Sequence, residues 1–208
     1  MKNEWNTALA DLPVIPSETL NDGAAALVIV DMVNGFLTEG VLSSPRSASV
    51  LPACENLLHL ANAYQLPTVA FADCHEPECI EFASFPPHCI RGTSESEIAP
   101  GLQAIGGYTR IEKNSTNGAI TPQFRAWLDA NPQLRRIVVC GVCTDICVMQ
   151  FCLTLKTLCN QDGRPMELLV PVNAVETYDA PNHNADDFGS AALLLMQQAG
   201  ITLVQKIA

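Results

Sequence analysis

Apolar residues in this chain fall into short solid runs separated by stretches with helical spacing. Residues 26–30 read Ala-Leu-Val-Ile-Val and stop at Asp31. An unbroken apolar run of that length, ending on a charge, marks a strand buried on both faces. Residues 67–72 repeat the pattern and stop at Asp73, residues 108–112 form a shorter strand ending at Lys113, and residues 136–140 stop at Gly141. Residues 166–172 and 201–204 complete the strands. Between them lie helical patterns at residues 48–64, where Leu57, Leu58, Leu60 and Ala61 share one side, and at 122–130, 144–158 and 187–199. Strands alternating with helices predict a parallel sheet covered on both faces. No repeat or linker interrupts the series, so one domain spanning residues 1–208 is expected.

Residues 74–100 break this rhythm, with Pro, Gly, Cys and His but no periodicity. A loop of that length inside a compact domain tends to be functional. Open parallel sheets bind ligands at the carboxyl ends of their strands. Asp31, Asp73, Lys113 and the Gly141-to-Cys147 turn all fall at that edge, which makes it the expected site.

Composition removes several alternatives. A chain of 208 residues, 48% hydrophobic and 16% charged, is too apolar to stay disordered. A net charge of −11 without a Lys/Arg cluster weighs against a nucleic-acid partner. No apolar stretch approaches a membrane span, and Met1-Lys2-Asn3-Glu4 does not begin a secretory signal, so a cytoplasmic protein with no membrane partner is expected. The nine cysteines are an odd set, which favours reduced thiols over a disulfide framework.

One of those thiols stands out. Gly141-Val-Cys-Thr-Asp-Ile-Cys147 leaves a strand, turns at a glycine and enters a helix whose first turn should hold Cys147. The helix dipole and free N–H groups there favour a thiolate and can receive an oxyanion. Asp31, partly desolvated at its strand end, can take the thiol proton and return it to a leaving amine. Lys113 by itself reads as an ordinary solvated charge. Asp73 and His75, two apart, share a side of extended chain, and His88 lies thirteen residues on. One carboxylate and two imidazoles suit zinc, iron or manganese with positions left open. Cys74, Cys79 and Cys89 form a weaker rival set, since their spacing matches no common zinc module.

These residues together resemble the isochorismatase-like cysteine hydrolases, over nearly the whole chain from Ala26 to Val204. Val30-Asp-Met-Val-Asn-Gly-Phe36 is similar to the family's first motif, and Gly141-Val-Cys-Thr-Asp-Ile-Cys-Val148 to its nucleophile motif. The resemblance implies a three-layer α/β/α, Rossmann-like fold with a mostly parallel sheet. It implies catalytic roles for Asp31, Lys113 and Cys147, an oxyanion hole from the Cys143 and Cys147 N–H groups, and a cis bond at Val142–Cys143. Asp73-Cys-His75 followed by Pro86-Pro-His-Cys-Ile-Arg-Gly-Thr93 resembles the metal motif of the nicotinamidase branch. That implies one divalent ion, zinc first, on Asp73, His75 and His88. Glu81 is the candidate further ligand, and Phe36 and Phe85 fall where the family places rings around a pyridine. Val33, Gly35 and Cys74 depart from the residues usual at their positions. The implied activity is hydrolysis of nicotinamide to nicotinate and ammonia through a thioester, by a homo-oligomer. Another amidase of the family, acting on a carbamoyl or hydantoin-derived amide, a non-catalytic binding protein and a redox-sensing cysteine protein are the alternatives.

Overall fold

The computed structural model describes Leu9 and residues 11–208; the opening Met1–Glu4 lies outside the described residues. Its centre is a seven-stranded sheet in which every pairing is parallel. Strand β1 (Val14–Ile15) stands apart and pairs only with β9 (Lys206–Ile207). The sheet takes β2 (Ala25–Val30), β3 (Thr68–Asp73), β4 (Thr109–Lys113), β5 (Arg136–Val142), β6 (Glu167–Pro171) and β8 (Thr202–Val204) in the order β4-β3-β2-β5-β6-β8. The short β7 (Val175–Glu176) pairs with the far end of β5.

Every residue of β2 is buried, as its uninterrupted apolar run requires. Its side chains alternate between two cores. Leu27 and Ile29 face a cluster with Leu57, Leu58 and Ala61 of α3 (Leu51–Ala63), whereas Ala26, Val28 and Val30 face one with Phe124 of α5 (Pro122–Ala130) and Phe151 of α6 (Met149–Gln161). Met196 of α7 (Ala185–Gln198) joins the second cluster. Helices on both faces complete the three layers. Among the described residues, no helix is long and apolar enough to cross a membrane.

The helix expected at 48–64 is two helices, α2 (Pro45–Ser49) and α3, which meet at Val50. Pro52 has no N–H to give the Ala48 carbonyl, and its ring crowds that oxygen, so the first helix cannot run on. Helix α5 starts where the pattern put it: Thr121 accepts from the Phe124 amide and Pro122 occupies the first turn. Two further helices, α1 (Asn34–Leu37) and α4 (Pro100–Ile105), are too short to carry a periodic signal. The long loop is as irregular as expected, with only brief turns at Ile80–Ala83 and Ser94–Ser96.

From β2 the chain builds β3 and β4 to one side, and from β5 it builds β6 and β8 to the other. The order reverses between β2 and β5, and a crevice opens above their carboxyl ends.

Candidate active site

Asp31 is the first residue after β2 and takes a left-handed turn at φ 51°. Aspartate tolerates that region better than branched residues do. Lys113 ends β4 directly opposite Asp73, the last residue of β3, so the two side chains are neighbours on one side of the sheet. The Lys113 side chain is wholly buried, against the local expectation of a solvated surface charge. Its Nζ donates to Asp73 Oδ1 at 2.6 Å and lies 2.8 Å from Asp31 Oδ2. The second contact is a buried ion pair, and Nζ lies between the two carboxylates.

Cys147 comes to this cluster from β5. Gly141 has φ +114° in register with Val30, and a Cβ there would sit 2.0 Å from the Val30 carbonyl oxygen. Only glycine lets the two strands run this close at the point where the site opens. The Val142–Cys143 peptide bond is cis. The expected first α-helical turn around Cys147 is instead a wider π turn, Thr144–Val148, with α6 following at Met149. Such turns arise as local insertions in helices and recur at functional sites. The Cys143 carbonyl accepts from the Ile146 and Val148 amides at 3.1 Å each, and Cys147 lies between them.

Burial changes the expected ionisation. It pushes the Cys147 thiol well above its ordinary value, although Lys113 pulls the other way. Desolvation of a sulfur anion thus works against the thiolate that the start of a helical segment favours. Burial also lifts Asp31 to about 6, with Lys113 opposing and Asp73 adding to the rise. Asp73 behaves in the opposite way. Burial would raise it, but Lys113 and the His75 and His88 rings overrule that and hold it well below the usual carboxylate range. Thus one cation sits between a carboxylate that stays charged and another that can take a proton.

Beside this array, Asp73, His75, Glu81 and His88 bring one nitrogen or oxygen each to within 4.8 Å of one another. His75 Nδ1 faces Asn114 Oδ1 at 3.2 Å and His88 Nδ1 faces the Pro86 carbonyl at 2.7 Å. With a proton on each Nδ1, donated to these oxygens, each Nε2 would keep a lone pair for a cation. Those two Nε2 atoms point at Asp73 Oδ2 from 2.9 and 3.0 Å. Two lone pairs and a carboxylate facing one another fit a bound cation, and the donor set suits a divalent transition metal. Glu81 Oε1 stands 3.7 Å from His75 Nε2, while Oε2 accepts from the Thr116 amide. The cysteine set is not assembled in this way: Cys74 and Cys89 are buried and outside the cluster. All nine cysteines are unpaired.

Both groups open on one cavity of about 430 Å³. Cys147, Cys143, Asp73 and His88 line it together with Phe36 and Phe85. The two rings stand 5.6 and 6.3 Å from the His88 ring. Tyr178 and Arg46 also line it, and neither was singled out from the sequence. Arg46 carried no local signal. Asn114, the partner of His75, could have been found as the polar residue next to Lys113.

Fold and site together define a parallel α/β protein with a buried Cys-Asp-Lys array beside a metal-compatible cluster. Residues 25–203 match the isochorismatase domain family, and the chain belongs to that family. It is 34% identical over 201 residues to nicotinamidase 1 of Arabidopsis thaliana, covering 86% of this chain and 82% of that protein. The solved pyrazinamidase of Pyrococcus horikoshii in complex with zinc superposes with a TM-score of 0.73 at 24% identity, covering 88% of this chain and 99% of the other. The N-carbamoylsarcosine amidase of Thermoplasma acidophilum superposes with a TM-score of 0.72 at 24% identity, covering 87% and 95%.

Proposed function

We propose that this protein hydrolyses nicotinamide to nicotinate and ammonia. The observation that carries the reading is that Cys147, beside the buried Asp31 and Lys113, and Asp73, Glu81 and His88 of the metal-compatible cluster line one cavity with Phe36 and Phe85. The relative from Arabidopsis thaliana, named as a nicotinamidase, supports the choice of amide.

Asp31, when ionised, takes the Cys147 proton as the sulfur attacks the carboxamide carbon. The base is needed because the buried thiol does not ionise unaided. Lys113 stays charged throughout and steadies the sulfur and both carboxylates. The N–H groups of Cys143 and Cys147 receive the oxyanion. Asp31 returns the proton to the departing nitrogen, ammonia leaves, and the acyl group remains as a thioester. Asp31 then draws a proton from water, whose oxygen attacks that carbon, and nicotinate departs as the thiol is restored.

Asp73, His75, His88 and Glu81 would hold a divalent metal, zinc by the donor set, which supplies an anchor for the ring nitrogen. Phe36 and Phe85 flank the ring, so binding energy fixes the amide against the sulfur before reaction. This reading treats residues 1–208 as one catalytic domain of a cytoplasmic homo-oligomer, which fractionation and sedimentation test. Ammonia release from nicotinamide, before and after chelation and after zinc is restored, tests the activity. No release by the zinc-loaded protein would refute it. Release that is indifferent to chelation would point to an amide without the ring nitrogen, such as a carbamoyl compound.

A further inference from the structure

We propose that His183 is a positioning residue that clasps the outer wall of the cavity to the turn carrying Cys147. The wall is the segment after β7, whose Tyr178, Asp179 and Ala180 line the cavity. It then doubles back: Ala180 and His183 exchange backbone hydrogen bonds of 2.9 and 3.0 Å, and Asp179 Oδ1 accepts from the Ala185 amide at 2.8 Å. From the end of this turn, the His183 ring reaches Asp145, two residues before Cys147. Its Nε2 is 2.7 Å from Asp145 Oδ2, and its Nδ1 is 2.8 Å from the Tyr178 carbonyl oxygen.

The ring thus bridges a carboxylate and a backbone carbonyl, one through each nitrogen. It does so between two aromatic rings, Tyr178 at 4.1 Å and 7° and Phe188 at 4.1 Å and 30°, which hold its plane. The Asp145 side chain is nearly buried, and its other oxygen has no donor among the described residues. His183 is therefore the group that holds this carboxylate. The bonds join elements 38 residues apart: the wall that would meet the substrate and the turn that presents the sulfur. Neither the Cys-Asp-Lys array nor the metal cluster uses His183.

Two variants attack the clasp from opposite ends. His183→Phe keeps the stack but has no donors, and Asp145→Asn keeps the shape but removes the charge. Hydrogen–deuterium exchange on the full-length protein reads the wall directly and does not depend on the amidase reading. The Ala180, His183 and Ala185 amides should exchange at least tenfold faster in each variant, with β2 and β5 unchanged. The double variant should be no faster than the stronger single one, because both break one clasp. The kinetic measurement rests on the proposed activity: KM for nicotinamide should rise about tenfold in His183→Phe, with kcat within threefold. Wild-type exchange in His183→Phe would overturn the proposal, as would additive effects in the double variant. So would a fall in kcat at unchanged KM, the mark of a merely unstable protein. If nicotinamide is not a substrate, the exchange rates alone decide.

Discussion

Gly141→Ala should separate the two halves of the site, and its cost can be built from the geometry. At φ +114° an L residue leaves every comfortable backbone region, which costs about 1–3 kcal/mol. The new Cβ would stand 2.0 Å from the Val30 carbonyl oxygen, where contacts below 3.0 Å essentially never occur. The carbonyl is backbone, so β2 and β5 must part by about 1 Å at their carboxyl ends. That opening weakens the last one or two ladder bonds, worth roughly 1 kcal/mol each and more if left unpaired. The sum is about 2–5 kcal/mol. Gly163→Ala supplies the control, since φ is +62° there and nothing lies within 4 Å; it should cost only about 1–2 kcal/mol. Urea denaturation of both variants reads the difference. Because Asp31 follows Val30 and Cys147 follows Gly141, a 1 Å displacement should also lower kcat/KM about a hundredfold in Gly141→Ala alone. Equal stability losses in the two variants, or an unimpaired Gly141→Ala enzyme, would show that the close strand approach does not matter.

Cys147→Ala should abolish ammonia release while leaving the thermal midpoint and metal content near wild type; appreciable turnover by a rigorously purified variant would remove Cys147 as nucleophile. The value of about 6 for Asp31 sets an acid limb, so kcat/KM should fall as pH drops through about 6, and a limb near 4 would mean another group serves as base. The same shift has a sign for stability. The fold holds the Asp31 proton better than the unfolded chain, where the value is 3.8, so stability present below 3.8 is lost as pH rises to about 6, by about 3 kcal/mol. Asp31→Asn, which cannot ionise, should therefore be inactive yet more stable than wild type at pH 7.5, with the gap closing near pH 4. His88→Ala should raise KM for nicotinamide steeply and for benzamide, which lacks a ring nitrogen, much less; equal losses on both would assign the metal a structural role.

The strand positions and their ends were legible in the sequence, because a strand buried on both faces needs an uninterrupted apolar run and its polar terminus announces itself. From those ends alone the catalytic edge and the Asp73/His75 pair followed, since side chains two apart in extended chain must share a side. The bend at Val50 was legible too, in Pro52, but it was lost under the stronger helical period around it. Tertiary structure decided what no local pattern encodes. Lys113 has the sequence context of a surface lysine and becomes a buried cation only because β3 and β2 bring two carboxylates to it. Cys147 starts a helical segment, which by itself favours a thiolate, yet the finished core desolvates it and pushes the thiol the other way. Glu81 and Asn114 meet His75 across 6 and 39 residues of chain, and His183 meets Asp145 across 38. Residue type and spacing determine which face a side chain occupies. Its ionisation and its partners depend on burial and on charges distant in sequence, and these exist only once the sheet has assembled.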